Sequence, residues 1–231
     1  VTLTADSTAA AADLKTINAA TSGIITATGV TAISGSISDI NDVLGVETSQ
    51  GNAGQQIDLD TNFTVTVTDT GSVAATTLTT LDSGVPGTVT ATTVDTLTGT
   101  ASQVAAAVSA SGLTLAGDFT VTLTADSTAA AADLKTIDAA TSGIITATGV
   151  ATITGSMSDV SDVLDVETSQ GNAGQQIDLD TNFTVTLSDT GNMAASTLNA
   201  LNAKVPGTLT VTNTVTLTGT AEAIAASATA D

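Results

Sequence analysis

The chain has 231 residues, of which 23 are acidic and three are basic, so its formal net charge is -20. Because phosphates are bound by clustered Lys and Arg, this balance disfavours nucleic acids and anionic membrane surfaces as partners. The sequence contains no His, Cys, Tyr or Trp, which excludes acyl-transfer triads and the usual zinc sites, and we expect no enzymatic activity. No apolar run approaches the roughly 20 residues that span a bilayer, so no membrane insertion is expected.

The chain consists of two tandem copies of one unit of 120 residues. Val1–Ile17 returns letter for letter at Val121–Ile137, and 81 of the 111 positions compared at this spacing are identical. Residues 1–120 form the first repeat unit and residues 121–231 form the second, which is shorter. Both ends fall within the repeat pattern, so we expect the sequence to be part of a longer array.

Short strands are predicted wherever apolar residues alternate strictly with Thr. From the first residue onward the pattern occurs at Val1–Thr4, again at Ile25–Thr28, and most clearly at Phe63–Thr68. Alternation places the apolar groups on one face of a strand and the hydroxyls on the other. Thr is branched at Cβ and suits a half-exposed strand surface.

Short Ala-rich helices are predicted between the strands. Ser36 opens a sequence that resembles a capping box, with Asp39 three residues later. Ser72 is placed to cap a segment whose apolar residues recur at helical spacing, and Thr100 or Ser102 is placed to cap a later one. Each helix would be two or three turns long, too short to be stable alone.

Alternating strands and helices predict an α/β fold with parallel strands joined by right-handed crossovers. Each half of a unit is interpreted as strand, helix, strand, helix, which gives one coil per about 30 residues and about eight coils. Because so short a coil buries its apolar face only against its neighbours, we predict an elongated repeat solenoid with a parallel β-sheet on one side and short helices on the other. The alternative folds are β-sandwich repeats of the immunoglobulin type and an all-β helix.

Two polar segments interrupt this pattern. Residues 45–62 and 165–182 are rich in Gly, Gln and Asn and are predicted to protrude from the stack as loops. Loops on a rigid scaffold are where binding usually resides. The other interpretation is an insertion that the repeat tolerates and that has no function.

Calcium is the ion that the acidic residues would suit best. Asp58 and Asp60 are two residues apart, so in an extended chain they share the outward face while Ile57 and Leu59 point inward. Calcium binds such oxygens together with loop carbonyls. Two solvated carboxylates at the start of a strand, in an acidic surface that keeps the protein soluble, are the alternative. The predicted metal ligands are Asp58, Asp60 and Asp69, with Asp178, Asp180 and Asp189 in the second copy.

The Thr-rich sequence pattern of the repeats resembles that of a known class of proteins. The segments VTVTDTGSVAATTLTTLDSG and GTVTATTVDTLTGTASQVAAAV resemble repeats in very large secreted bacterial surface and adhesin proteins, familiar from cyanobacteria and other marine bacteria. The resemblance implies type I export, calcium in the surroundings, and a role in surface layers, filaments, motility or adhesion. The glycine-rich nonapeptide calcium repeat of many such exported proteins is missing from this sequence.

We therefore predict a structural repeat segment of a long extracellular surface, filament or adhesin protein, located at the cell surface or outside the cell. It would act as a spacer or an assembly module. Its partners would be further copies of the same repeat and, through lateral assembly, other chains of the same kind. A second hypothesis is an ice-binding or surface-binding solenoid, because stacked Thr-x-Thr strands would present a flat array of hydroxyls and methyls. Asp69, Asp95 and Asp189 interrupt that array.

Overall fold

The computed structural model describes residues 1–3, 7–47, 56–124, 127–167 and 176–229. The chain divides into two compact units. Unit 1 comprises Val1–Leu97 and Ala106–Ala116, and unit 2 comprises Thr98–Ala105 and Gly117–Asp231. Each unit is described below by itself.

The described residues form an α/β structure of short elements. The eight helices are α1 (Ala11–Ala20), α2 (Ile37–Leu44), α3 (Ala75–Gly84), α4 (Ala101–Val108), α5 (Ala131–Asp138), α6 (Met157–Asp165), α7 (Ala195–Asn202) and α8 (Ala221–Thr229). The eighteen strands are β1 (Thr8–Ala10), β2 (Ile25–Ala27), β3 (Ala32–Gly35), β4 (Ile57–Leu59), β5 (Thr64–Val67), β6 (Gly71–Ala74), β7 (Val89–Ala91), β8 (Val94–Gly99), β9 (Leu113–Leu115), β10 (Thr120–Leu123), β11 (Thr128–Ala130), β12 (Ile145–Ala147), β13 (Thr152–Gly155), β14 (Ile177–Leu179), β15 (Thr184–Leu187), β16 (Gly191–Ala194), β17 (Leu209–Val211) and β18 (Val215–Thr218).

Unit 1 contains a parallel sheet in the order β1-β3-β5-β7-β9. Its register pairs residues 24 or 32 positions apart: Thr8 lies opposite Ala32, and Ala32 opposite Thr64. A second parallel pair joins β2 to β4, and β6 lies beside β8. Successive strands along the chain therefore enter different sheets, while strands in one sheet come from successive turns of the chain.

Unit 2 repeats this arrangement. One parallel sheet has the order β11-β13-β15-β17, another contains β14-β12-β10, and a third pairs β16 with β18. The registers again join residues 24 or 32 apart, as in Val185 with Leu209 and Thr152 with Thr184. The predicted α/β class and the parallel pairing are confirmed.

The predicted composition of a coil is wrong. Two strands separate α1 from α2 and three separate α2 from α3, whereas the sequence predicted one strand for each helix. Several parallel sheets replace the single sheet that was expected. The physical reason is that the strands are only three to six residues long, and alternation does not show where one short strand ends and the next begins. Neither alternative fold contains the eight helices of the described residues, so both alternatives are wrong.

The core follows the predicted alternation. Val65 and Val67 are buried while Thr66 and Thr68 are exposed. The three Phe side chains, which open the Phe-Thr-Val-Thr strands, are among the core residues: Phe63, Phe119 and Phe183. Aliphatic and Ala side chains complete a core that contains no other aromatic group.

Two of the three predicted helix caps are confirmed. Ser36 precedes α2, and its Oγ accepts a hydrogen bond from the Asp39 N–H at 3.1 Å. Thr100 precedes α4, and its Oγ1 accepts from the Gln103 N–H at 3.2 Å. The prediction for Ser72 is wrong, because that residue lies in β6 and α3 begins after Ala74, which provides no side-chain cap.

Candidate functional site

The most developed charged cluster in unit 1 joins two neighbouring helices. Lys15 on α1 places its Nζ 2.5 Å from Asp39 Oδ1 and 2.8 Å from Asp42 Oδ2, both on α2. Asp39 and Asp42 are three residues apart and therefore lie on the same side of the helix. Because the Lys15 side chain is 37% exposed, water screens the attraction, so each ion pair adds only a small stabilisation between the two helices.

Unit 2 contains the same cluster in the second copy. Lys135 Nζ lies 2.6 Å from Asp159 Oδ1 and 2.8 Å from Asp162 Oδ2. Ser156 Oγ donates to Asp159 Oδ2 at 2.8 Å, just as Ser36 Oγ donates to Asp39 in unit 1. The carboxylate of Asp39 in α2, like that of Asp159 in α6, therefore accepts hydrogen bonds from both a lysine and the hydroxyl of the capping serine.

These contacts shift the pKa values of their members in opposite directions. The hydrogen bond from Lys15, followed by the one from Ser36, lowers the pKa of Asp39 below its ordinary value. The hydrogen bonds to Asp39 and Asp42 raise the pKa of Lys15. Asp159 and Lys135 show the same two shifts for the same reasons. These shifts favour the charged forms of Lys15 and Asp39, and of Lys135 and Asp159, which suits an ion pair between helices and not proton transfer.

A further ion pair, outside the two clusters, is present in unit 2. Lys204 Nζ contacts Asp165 Oδ1 at the C-terminal end of α6. The corresponding positions in the first copy are Gly84 and Gly45, so both charges are present in one copy and both are missing from the other. Each of the three basic residues of the chain therefore has a carboxylate partner on another element.

A second set of carboxylates caps backbone N–H groups in a neighbouring turn of the chain. Asp69 Oδ2 accepts from the N–H of Ile37, the first residue of α2, at 2.7 Å. Asp189 Oδ2 accepts from the N–H of Met157, at the start of α6, at the same distance. A carboxylate at a helix N-terminus satisfies a free N–H and interacts favourably with the helix dipole. Asp69 and Asp189 thus serve as structural caps, a role that the sequence did not predict.

The other predicted calcium ligands lie within β4 and β14 or directly after them. Ile57 and Leu59 are buried, as the alternation predicted, and Asp58 between them is half-buried. Asp60 Oδ1 accepts from the Asn62 N–H at 2.8 Å, and Asp180 does the same for Asn182. Asp178 lies opposite Thr146 in the register of β14 with β12. Across the described ranges, no three acidic residues are close enough together to hold a metal ion. Calcium binding stays a prediction.

The predicted loops are partly strands. Ile57–Leu59 forms β4 within the first segment, and Ile177–Leu179 forms β14 within the second. Residues 48–55 and 168–175 lie outside the described residues. Near the start of each segment lies a buried glutamate, Glu47 in the first and Glu167 in the second. The backbone of each forms a parallel β-bridge to the strand of its segment, Glu47 with Ile57 and Glu167 with Ile177. No sequence pattern predicted that either glutamate would be buried.

The sequence also missed the Lys–Asp clusters. Lys15 and Asp39 are 24 residues apart, and so are Lys135 and Asp159. That offset equals the strand register between Thr8 and Ala32. Once the strand register was known, a search for opposite charges 24 residues apart would have found both clusters.

Searches against protein-family models, curated proteins and solved structures found nothing that matches this chain. Within the part of the chain that the structure describes, none of the helices has the length and apolar character needed to cross a bilayer.

Proposed function

We propose that this chain is a structural segment of a long extracellular surface, filament or adhesin protein. Its coils, each a helix with the strands that lead into it, would stack as an α/β solenoid and serve as a spacer or an assembly module. Further copies of the same repeat would continue the stack. Lateral contacts between such stacks would build a surface layer or a filament.

The observation that carries this proposal is the repetition of the contacts between neighbouring helices. Lys15 contacts Asp39 and Asp42 in one copy, and Lys135 contacts Asp159 and Asp162 in the other, at nearly equal distances. The charged groups of these clusters are directed at the next helix of the same chain. Side chains used in this way favour cohesion along a stack over binding a small ligand.

The acidity of the chain is consistent with a long repetitive protein that stays soluble outside the cell. A net charge of -20 makes like stacks repel one another and stay soluble. The resemblance of the Thr-rich repeats to those of secreted bacterial surface proteins supports the extracellular location.

Small-angle scattering on proteins of two, four and six repeat units tests the solenoid. Eight coils at about 4.8 Å per strand pair give a rise near 40 Å for two units. The long dimension should then increase in proportion to the number of units. A radius of gyration that grows as slowly as that of a compact globule excludes the stack.

Thermal unfolding of the same series is a second test. In a stack each unit is stabilised by its neighbours, so one unit should melt below two and two below four. Equal melting temperatures would indicate independent domains joined by linkers.

A second candidate function is binding to ice or to another regular surface through threonine rows. The register places Thr66 opposite Thr90, and Thr90 opposite Thr114, across three neighbouring strands of unit 1. Rows of this kind repeat at the strand spacing of about 4.8 Å. Thermal hysteresis of the purified chain tests this candidate. If the freezing point of the solution equals the melting point of its ice at every protein concentration, ice binding is eliminated.

A further inference from the structure

One asparagine in each copy begins a motif that the proposed function does not use. Asp60–Thr64 and Asp180–Thr184 share the sequence Asp-Thr-Asn-Phe-Thr. Its last three residues match Asn-x-Ser/Thr, the acceptor motif for N-linked glycans in secreted proteins. None of the other asparagines of the sequence has Ser or Thr two positions later. The motif is therefore confined to Asn62 and Asn182.

Both asparagines lie at the surface, in the turn that leads into a strand. Thr61 and Asn62 form the turn between β4 and β5, and both residues are exposed. Asp60 Oδ1 accepts from the Asn62 N–H at 2.8 Å and holds the turn in place. Asn182 is exposed in the same turn of the second copy, with its N–H bonded to Asp180 at the same distance. An exposed turn is the setting in which the motif can carry a bulky, polar group.

The two residues that follow each asparagine are held within the fold. Phe63 is 0% exposed and Phe183 is 1% exposed. The Thr64 N–H donates to the carbonyl of Thr31 at 2.9 Å, and the Thr64 hydroxyl donates to the same oxygen at 3.4 Å. A transferase recognises the asparagine together with the hydroxyl two residues later. The folded chain therefore exposes the asparagine while β5 retains the rest of the motif.

We propose that Asn62 and Asn182 are acceptor sites for an N-linked glycan, which is attached during export and before β5 and β15 form. The donor is an oligosaccharide linked to a lipid diphosphate. The asparagine Nδ2 forms a bond to C1 of the first sugar and loses one proton. The bond between C1 and the diphosphate oxygen breaks, and the lipid diphosphate leaves with the electron pair.

This inference rests on the extracellular location in the proposed function, because the transfer accompanies export. It extends that function by giving each repeat unit one bulky, solubilising group on its surface.

Export of the 231-residue chain from a bacterial host tests the two sites. The host carries an oligosaccharyltransferase that selects asparagines with a carboxylate two residues before them, together with its lipid-linked oligosaccharide. Such a carboxylate precedes both Asn62 and Asn182. We expect the mass of the exported chain to increase by two glycans, which peptide mass spectrometry should locate on these two residues. Asn213 is the internal control, because it is also exposed but is followed two residues later by valine.

Two substitutions in the first copy separate the motif from the fold. Asn62→Gln removes the acceptor amide, and Thr64→Val removes the hydroxyl but keeps a side chain branched at Cβ in β5. Each variant should lose one of the two glycans and retain the one on Asn182. An exported chain without added mass, a glycan on Asn213, or two glycans on Thr64→Val overturns the proposal.

The order of attachment and folding is tested with chain that has folded before it meets the enzyme. Purified, unmodified chain should acquire glycan at least about tenfold more slowly than a synthetic peptide of residues 57–67, because the folded motif reacts only when β5 opens. Equal rates contradict attachment before folding. The glycosylated chain should melt no lower than the unmodified chain, since both asparagines are exposed. A lower melting temperature shows that the turn does not tolerate a glycan.

These results do not depend on the scattering series. A chain that is glycosylated but fails to elongate refutes the stack alone. A chain that elongates but carries no glycan after export refutes the acceptor sites alone.

Discussion

The N–H of Gly87 donates to the carbonyl oxygen of Phe63 at 3.1 Å, and the same bond at the same distance joins Gly207 to Phe183. The glycine of one turn therefore rests on the backbone of the preceding turn. A Cβ at Gly87 would lie only 2.5 Å from the Phe63 oxygen. The close approach fixes how tightly two neighbouring turns pack beside a fully buried phenylalanine.

Replacing this glycine tests that contact. Gly87→Ala should destabilise the chain by about 1–3 kcal/mol, because the added methyl meets backbone atoms that cannot move aside. Gly29→Ala is the matched control, since a Cβ there meets nothing within 4 Å, and it should stay within about 0.5 kcal/mol of the parent. Urea unfolding followed by circular dichroism gives both values. Equal stability of the two variants contradicts the packing argument.

Two serines distinguish a real helix cap from an apparent one. Ser36→Ala should cost about 1 kcal/mol, because it removes the acceptor for the Asp39 N–H at the start of α2. Ser72→Ala should change stability by less than about 0.5 kcal/mol, because Ser72 is an exposed strand residue. A loss at Ser72 as large as that at Ser36 shows that α3 begins earlier than in the structure.

The difference between these serines shows what the sequence could predict. Local patterns identified the Ser36 cap and the alternation that buries Val65, because both depend on residues a few positions apart. The prediction for Ser72 was wrong because α3 follows directly after a strand. The helix begins after an alanine, a residue that no capping rule identifies.

The candidate site could be predicted only in part for a related reason. The sequence indicated that aspartates would form the charged sites. The partner of each aspartate, however, depends on which turn of the chain lies beside it. Asp69 caps Ile37, 32 residues earlier, and Lys15 reaches Asp39, 24 residues later. No local pattern indicates which of these two offsets applies at a given turn.

The Lys–Asp clusters should affect stability over a defined pH range. Lys15 lowers the pKa of Asp39, so the contribution of that carboxylate is present above its unfolded value and is lost as pH falls through the lower folded value. Asp39 and Asp42 raise the pKa of Lys15, so its contribution is retained up to the unfolded value and is lost as pH rises through the higher folded value.

Lys15→Met should therefore melt below the parent by a small margin that is constant from about pH 5 to about pH 9 and shrinks at both extremes. Lys15→Arg, which keeps the charge, is the control and should retain most of the margin. Differential scanning calorimetry across pH gives the comparison. A margin that persists unchanged at pH 2 would attribute the effect to lost packing of the lysine stem.

Calcium should stabilise the chain through Asp58 and Asp60 and their copies. A ligand that binds only the folded form raises the melting temperature by mass action. The increase with calcium should exceed that with sodium at matched ionic strength, because screening is common to both salts. Replacing Asp58 and Asp60 by Asn, together with Asp178 and Asp180 in the second copy, should remove the part of the increase in melting temperature that is specific to calcium. Equal shifts with the two salts in the parent chain contradict a calcium site.

An exchange between the two copies gives the most direct electrostatic prediction. Asp138, at the end of α5, takes the position that Asn18 holds in α1. Burial raises the pKa of Asp138 above its ordinary value of 3.8. A raised folded pKa means that the group favours the folded state only while it is protonated. That contribution is present below the unfolded pKa and is lost as pH rises through the folded one. At neutral pH the ionised carboxylate therefore works against folding.

Asp138→Asn should raise the melting temperature at pH 7, and the gain should disappear below about pH 3.8, where the parent carboxyl is itself neutral. The reciprocal variant, Asn18→Asp, should lower the melting temperature at pH 7 and approach the parent at low pH, because it places the same charge at the equivalent position. The two variants keep side-chain shape and differ only in charge, so each serves as the control for the other. Melting curves for both, recorded from pH 2.5 to pH 8, settle the sign. A gain for Asp138→Asn that is independent of pH, or a loss at pH 7, shows that desolvation of this carboxylate does not oppose folding.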